Sequence, residues 1–176
     1  LTVTGVQTCA LPIWMNPQER IFQQFHLHQE TLESCLHYLP ERIARAAEVI
    51  TESLLHDGKV LTCGNGGSSS EAQHFSSELL NRFERDRPGL PAIALTGDVA
   101  ALTSIANDAR FEEVFSKPVR ALGHPGDVLV LYTSSGNSPN LLEAAKAARE
   151  RKLSVIALTG KDGGALAALL QEEDIE

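Results

Sequence analysis

His74 and Glu78 lie four residues apart in a segment whose apolar residues recur at helical spacing. Side chains at i and i+4 share a helix face. An imidazole and a carboxylate placed this way can hold a metal ion between them, or move a proton on and off a substrate. The same pair also suits a solvated ion pair of small energetic weight. At about 100° per residue, both point away from the stripe Ala72, Phe75, Ser76, Leu79 and Phe83, which is expected to face the core. If the pair performs chemistry, its face is expected to meet another subunit.

Two loops offer a second kind of chemistry. Gly64-Asn65-Gly66-Gly67-Ser68-Ser69-Ser70 combines glycines, which let backbone approach a ligand, with hydroxyl donors at the start of a helix. Thr133-Ser134-Ser135-Gly136-Asn137-Ser138, with Pro139 behind it, places four hydroxyls within six residues before another helix. Backbone amides at a helix N-terminus favour an anion. Neither loop is a Walker A motif, because no Gly-Lys-Ser/Thr is present, and the glycine spacing of a Rossmann fingerprint is absent. Each alone also serves as a polar strand–helix turn. Two in one sheet favour a phosphorylated ligand. Asn107-Asp108, which ends an apolar stretch, is either an Asx turn or a contact to sugar hydroxyls.

These loops are expected to follow strands. Lys59–Cys63, Pro91–Leu95, Asp127–Tyr132 and Leu153–Leu158 are short, nearly continuous apolar runs, as strands covered on both faces require. Helices are expected over about Ser68–Phe83, Val99–Ala106, Phe111–Leu122 and Pro139–Arg151. This alternation predicts an α/β fold with a doubly wound parallel sheet and right-handed crossovers. In such a fold, ligands bind beyond the carboxyl ends of the strands. An N-terminal helical pair precedes the sheet. One helix carries Ile21, Phe25, Leu32, Leu36 and Leu39 and ends at Pro40. The other carries Ile43, Ala46, Ala47, Ile50, Leu54 and Leu55 and stops at Asp57-Gly58. The pair either packs on the domain or joins another subunit.

The chain has 176 residues, suited to one domain, and a net charge of −8. That charge argues against a direct nucleic-acid binder. No apolar run is long enough to span a membrane. Cys9, Cys35 and Cys63 form neither a disulfide framework nor a zinc spacing, and fit reduced thiols in a cytoplasmic protein. Residues 1–14 lack a basic n-region and read as a non-native extension before the sole methionine, Met15. The expected organisation is helices over 15–58 and an α/β domain over 59–176. Asp174-Ile175-Glu176 look like the first residues of a further strand, so the chain is expected to stop short of the full domain.

Gly64–Ser68, Glu71–Leu79, Asn107-Asp108, Ser135–Ser138 and Leu158–Gly164, in this order, resemble the phosphoheptose isomerases of the sugar-isomerase (SIS) domain family. The resemblance runs from about Gln18 to Glu176. It implies a flavodoxin-like three-layer sandwich and interconversion of sedoheptulose 7-phosphate with D-glycero-D-manno-heptose 7-phosphate. It also implies a cytoplasmic homotetramer with sites between subunits. Substrate contacts fall on Asn65, Gly66, Gly67, Ser68, Glu78, Asn107, Asp108, Thr133, Ser134, Ser135 and Ser138. The catalytic base falls on Glu78, and zinc on His74 and Glu78. A second catalytic histidine and further metal ligands, a glutamine and a histidine, would lie beyond residue 176, which makes this stretch alone a binder rather than a catalyst. Two departures stand out. Glu71 replaces the family's usual aspartate, and Tyr132-Thr133 replaces Ile-Ser or Leu-Ser.

Asn81–Pro88 followed by Leu90–Leu95, and Arg120–His124, resemble instead a sister SIS tetramer that binds the bacterial replication initiator without catalysis. That sister's pattern has a non-acidic residue at position 78, so Glu78 favours the isomerase. A sugar-phosphate sensor of the same fold would keep both loops and not need Glu78.

Overall fold

The four apolar runs form one parallel sheet in the computed structural model, which describes residues 16–176. The N-terminal extension, Cys9 and Met15 lie outside the described residues. The strands are β1 (Val60–Gly64), β2 (Ala92–Ala94), β3 (Val128–Tyr132) and β4 (Ser154–Leu158), in spatial order β2-β1-β3-β4. The helices are α1 (Pro17–Cys35), α2 (Leu39–Leu55), α3 (Gly67–Leu80), α4 (Val99–Asp108), α5 (Ser116–Leu122), α6 (Pro139–Arg151) and α7 (Gly164–Ala167).

Strand side chains alternate between two apolar faces. Leu61, Cys63, Leu129, Leu131, Val155 and Ala157 pack with Phe115 just before α5, Val119 of α5, Leu141, Ala144 and Ala148 of α6, and Leu166 of α7. Val60, Val128, Val130 and Ile156 pack with Ala46, Val49, Ile50 and Leu54 of α2, and with Phe75 and Leu79 of α3. Burial on both faces explains why the strands lack a polar side. The result is the expected doubly wound α/β sandwich.

The chain divides into two compact units between Glu41 and Arg42. In the first, the Asn16 side chain accepts from the Gln18 amide at 3.0 Å and starts α1, with Pro17 in its first turn. No residue of α1 is buried, so Ile21, Phe25 and Leu32 remain exposed. The second unit contains most of α2 and the whole sheet.

Several boundaries differ from expectation. The first helix ends at Cys35, and Pro40 instead sits in the first turn of α2, where its missing N–H costs nothing. The αL residue after α2 is Asp57, with φ 59°. Helix α3 stops at Leu80 because the Arg87 guanidinium donates to the carbonyls of Glu78 (2.7 Å) and Leu79 (2.9 Å). Phe83 therefore lies beyond the helix and is exposed rather than on its core stripe. The stretch from Phe111 to Leu122 breaks into a 3-10 turn, Phe111–Glu113, and α5.

At the far edge, Ile175 forms a parallel bridge with Ile156 of β4. At the N-terminal ends of the strands, Asp127 is buried against Lys59, whose Nζ lies 2.6 Å from Oδ2. Among the described residues no helix is long and apolar enough to cross a membrane.

Candidate active site

The chain leaves β1 through α3, on one face of the sheet, and leaves β3 through α6, on the other. β1 and β3 are neighbours in register, with Gly64 opposite Tyr132. Their following loops therefore start level with one another and diverge. This is the topological switch point, where an α/β sheet opens a crevice.

On the β1 side, Gly66 has φ 56° and ψ −122°, a conformation effectively restricted to glycine, and a Cβ there would meet nothing within 4 Å. The turn closes through Ser68 N–H donating to Asn65 O and Ser69 N–H donating to Gly66 O, both at 3.0 Å. Helix α3 then begins at Gly67.

On the β3 side, Thr133 Oγ1 accepts from Gly136 N–H at 3.1 Å, and Ser135 Oγ accepts from Asn137 N–H at 3.3 Å. Ser138 is the N-cap of α6 but makes no side-chain cap bond. Among the described residues the hydroxyls of Ser134, which is exposed, and Ser138, which is half-buried, have no hydrogen-bond partner. The N-termini of α3 and α6 thus flank the crevice with amides and unengaged hydroxyls. That arrangement suits a phosphate-sized anion.

The β3 loop is held from behind by α7, which follows β4. Asn137 Oδ1 accepts from Ala165 N–H at 2.9 Å, and Gly136 O accepts from Leu166 N–H at 2.9 Å. Tyr132, half-buried at the end of β3, has its ring centroid 6.5 Å from that of Phe75. Burial first, and then the negative charge of Glu71, pushes its phenol up to about 12, so it remains a neutral hydrogen-bonding group.

His74 and Glu78 do pair as the spacing implies, with Nε2 3.2 Å from Oε1. Both are accessible: the His74 side chain is 68% and that of Glu78 35% exposed. No hydrogen bond among the described residues joins them to either loop. Asn107 and Asp108 end α4, exposed, and pair with each other at 2.7 Å rather than with the loops. A nitrogen and an oxygen donor on adjacent helical turns fit zinc's ligand preferences but supply only two positions. No group of three or more His, Cys, Asp or Glu among the described residues is gathered for a metal.

Two polar contacts were not anticipated from sequence. The carboxamides of Asn65 and Asn140 bond reciprocally across the crevice, at 2.9 and 2.8 Å. Gln73 Nε2 donates to Thr96 Oγ1 at 3.2 Å, tying α3 to the loop after β2. A signal for Asn140 existed. It heads the buried stripe that continues through Ala144 and Ala148, where an apolar residue is the default.

Comparison with known proteins gives the family. The SIS domain family model matches residues 25–160. The phosphoheptose isomerase of Methylococcus capsulatus (strain Bath) is 59% identical over 162 residues, covering 92% of this chain and 83% of the relative. That of Alkalilimnicola ehrlichii is 54% identical with the same coverage. Among solved structures, a phosphoheptose isomerase from Francisella tularensis superposes with a TM-score of 0.89 at 46% identity, covering 92% of this chain and 85% of that one. The phosphoheptose isomerase GmhA from Neisseria gonorrhoeae gives 0.85 at 48%, covering 91% and 84%. The chain therefore belongs to the SIS-domain family, among its phosphoheptose isomerases.

Proposed function

We propose that this protein interconverts sedoheptulose 7-phosphate and D-glycero-D-manno-heptose 7-phosphate, an early step towards the heptose of lipopolysaccharide. The single observation behind the reading is the switch-point crevice, with two helix N-termini and unengaged serine hydroxyls, in a chain 59% identical to a phosphoheptose isomerase. The substrate class comes from that relative's name, and the anion site supports it.

The Thr133, Ser134, Ser135 and Ser138 loop takes the phosphate. Asn65, Gly66, Gly67 and Ser68 address the sugar, with Asn107 and Asp108 reaching its hydroxyls. Aldose–ketose isomerisation removes a proton from the carbon beside the carbonyl, passes through an enediol and returns a proton to the neighbouring carbon. Glu78 is the base that takes and returns this proton. A bound zinc would be held in part by His74 and Glu78, and would polarise the substrate oxygens. The exposure of the His74–Glu78 pair, unbonded to its own chain's loops, supports a homotetramer in which the pair serves a site shared between subunits. We assign the protein to the cytoplasm, where sugar phosphates are made.

The test is to incubate the full-length protein with sedoheptulose 7-phosphate and follow the aldose by NMR. Formation of the heptose 7-phosphate supports the reading. Binding without any conversion overturns it in favour of a sugar-phosphate sensor.

A further inference from the structure

Asn140 has no role in the reaction as set out above, yet its environment is unusual. It occupies the second position of α6 and is 2% exposed. A buried carboxamide in a helix is unfavourable on two counts: asparagine is a weak helix former, and its polar atoms need partners. Both needs meet in one place. Asn140 Nδ2 donates to Asn65 Oδ1 at 2.8 Å, and Asn140 Oδ1 accepts from Asn65 Nδ2 at 2.9 Å. Two parallel bonds between planar groups fix distance and orientation together, which one bond or an apolar contact does not.

The clip joins elements 75 residues apart in sequence, on opposite sides of the switch point. Asn65 immediately precedes Gly66, whose backbone conformation suits only glycine, and the Asn65 carbonyl accepts the Ser68 amide. Two residues before Asn140 stands Ser138, the N-cap of α6. Fixing one carboxamide against the other therefore fixes the amides of Gly66 and Gly67 relative to the Ser138 hydroxyl. An apolar residue would continue the Ala144–Ala148 stripe with better packing, so the pair's contribution is geometry rather than stability.

We infer that Asn140 is a positioning residue: its reciprocal clip with Asn65 holds the β1 loop at the distance from the β3 loop that lets one sugar phosphate span both. The inference rests on the sugar-phosphate reading of the crevice.

The test is Asn140→Asp, because the substituted acid is a switchable copy of the amide. Protonated, it donates O–H to Asn65 Oδ1 and accepts from Asn65 Nδ2, restoring both bonds. Ionised, it sets an oxygen against Asn65 Oδ1 with no proton between. Burial lifts its titration above the ordinary ~3.9, into an accessible range. Affinity for sedoheptulose 7-phosphate is measured by calorimetry from about pH 5 to about pH 9, as the ratio of variant to unsubstituted protein, which cancels titration common to both. The amide NMR shifts of Gly66 and Gly67 are followed over the same range without ligand.

The expected result is a ratio near unity in acid, falling about tenfold or more as the acid ionises, with both glycine shifts moving at the same midpoint. A ratio and shifts that do not titrate overturn the inference. Failure of the unsubstituted protein to bind overturns the sugar-phosphate reading, and the glycine shifts still decide whether Asn140 sets the loop. If Asn140→Asp does not fold, Asn65→Asp places the acid on the half-buried side of the same pair, and the ligand-free shifts of Gly66 and Gly67 alone are read, with the same titration expected of them.

Discussion

Replacing Gly136 by alanine tests how the loop after β3 is held. Gly136 has φ 64°, donates its N–H to Thr133 Oγ1 and accepts at its carbonyl from Leu166 N–H. A Cβ there would run into the carbonyl of Gly163 and come within 3.0 Å of Gly164 N. These obstacles are backbone, so no rotamer change relieves them. Positive φ with a Cβ costs about 1–2 kcal/mol, and forcing backbone apart adds about 1–3, or roughly 2–5 kcal/mol together. Gly126 provides the matched control. Its φ is 92°, it precedes β3 at the other end of the sheet, and a Cβ there meets nothing within 4 Å. Gly126→Ala should therefore cost only the conformational part, about 1–2 kcal/mol. Urea unfolding of both variants gives the two costs on one scale. Calorimetry with sedoheptulose 7-phosphate should show weakened binding only for Gly136→Ala. Equal destabilisation by the two substitutions, with unchanged binding, would refute the claim that the β3 and β4 loops are locked backbone against backbone.

Ser134→Ala removes a hydroxyl with no hydrogen-bond partner among the described residues; unfolding free energy should stay within about 0.5 kcal/mol, while affinity for inorganic phosphate falls about tenfold or more. Burial pushes the Asp127 carboxyl up, but hydrogen bonds from the Lys59 ammonium and from the His124 and Lys59 amides, with the Lys59 charge, outweigh it and hold it below the ordinary range. Its contribution is thus complete above an unfolded value near ~3.9 and disappears as pH falls through the lower folded value. Asp127→Ala should cost about 3–5 kcal/mol at neutral pH, with the gap to the unsubstituted protein closing in strong acid. Zinc content by elemental analysis should fall in His74→Ala; an unchanged content removes His74 as a ligand.

The fold was legible because each strand is an apolar run ending at a polar, glycine-containing loop, as at Cys63-Gly64 and Tyr132-Thr133. The sheet order was not, since the runs carry no mark of which neighbours which, and the switch point appears only once β1 and β3 lie side by side. Within the candidate site, the His74–Glu78 pair and the loop hydroxyls could be read from local spacing, because helix geometry and capping act over a few residues. The Asn65–Asn140 clip could not, because its partners are brought together by the sheet. Tyr132 read only as a departure from a pattern; the structure shows it packed tilted on Phe75, filling the junction between β3 and α3. The helix break after Leu80 was missed for a similar reason: Arg87, seven residues on, stops α3 by taking its last carbonyls.

The most direct test of the account is Glu78→Gln in the full-length protein, assayed for turnover of sedoheptulose 7-phosphate and for its binding. The substitution keeps size and one accepting oxygen and removes the base. The account predicts a fall in kcat of about 100-fold or more with affinity little changed. Turnover at the rate of the unsubstituted protein would contradict it.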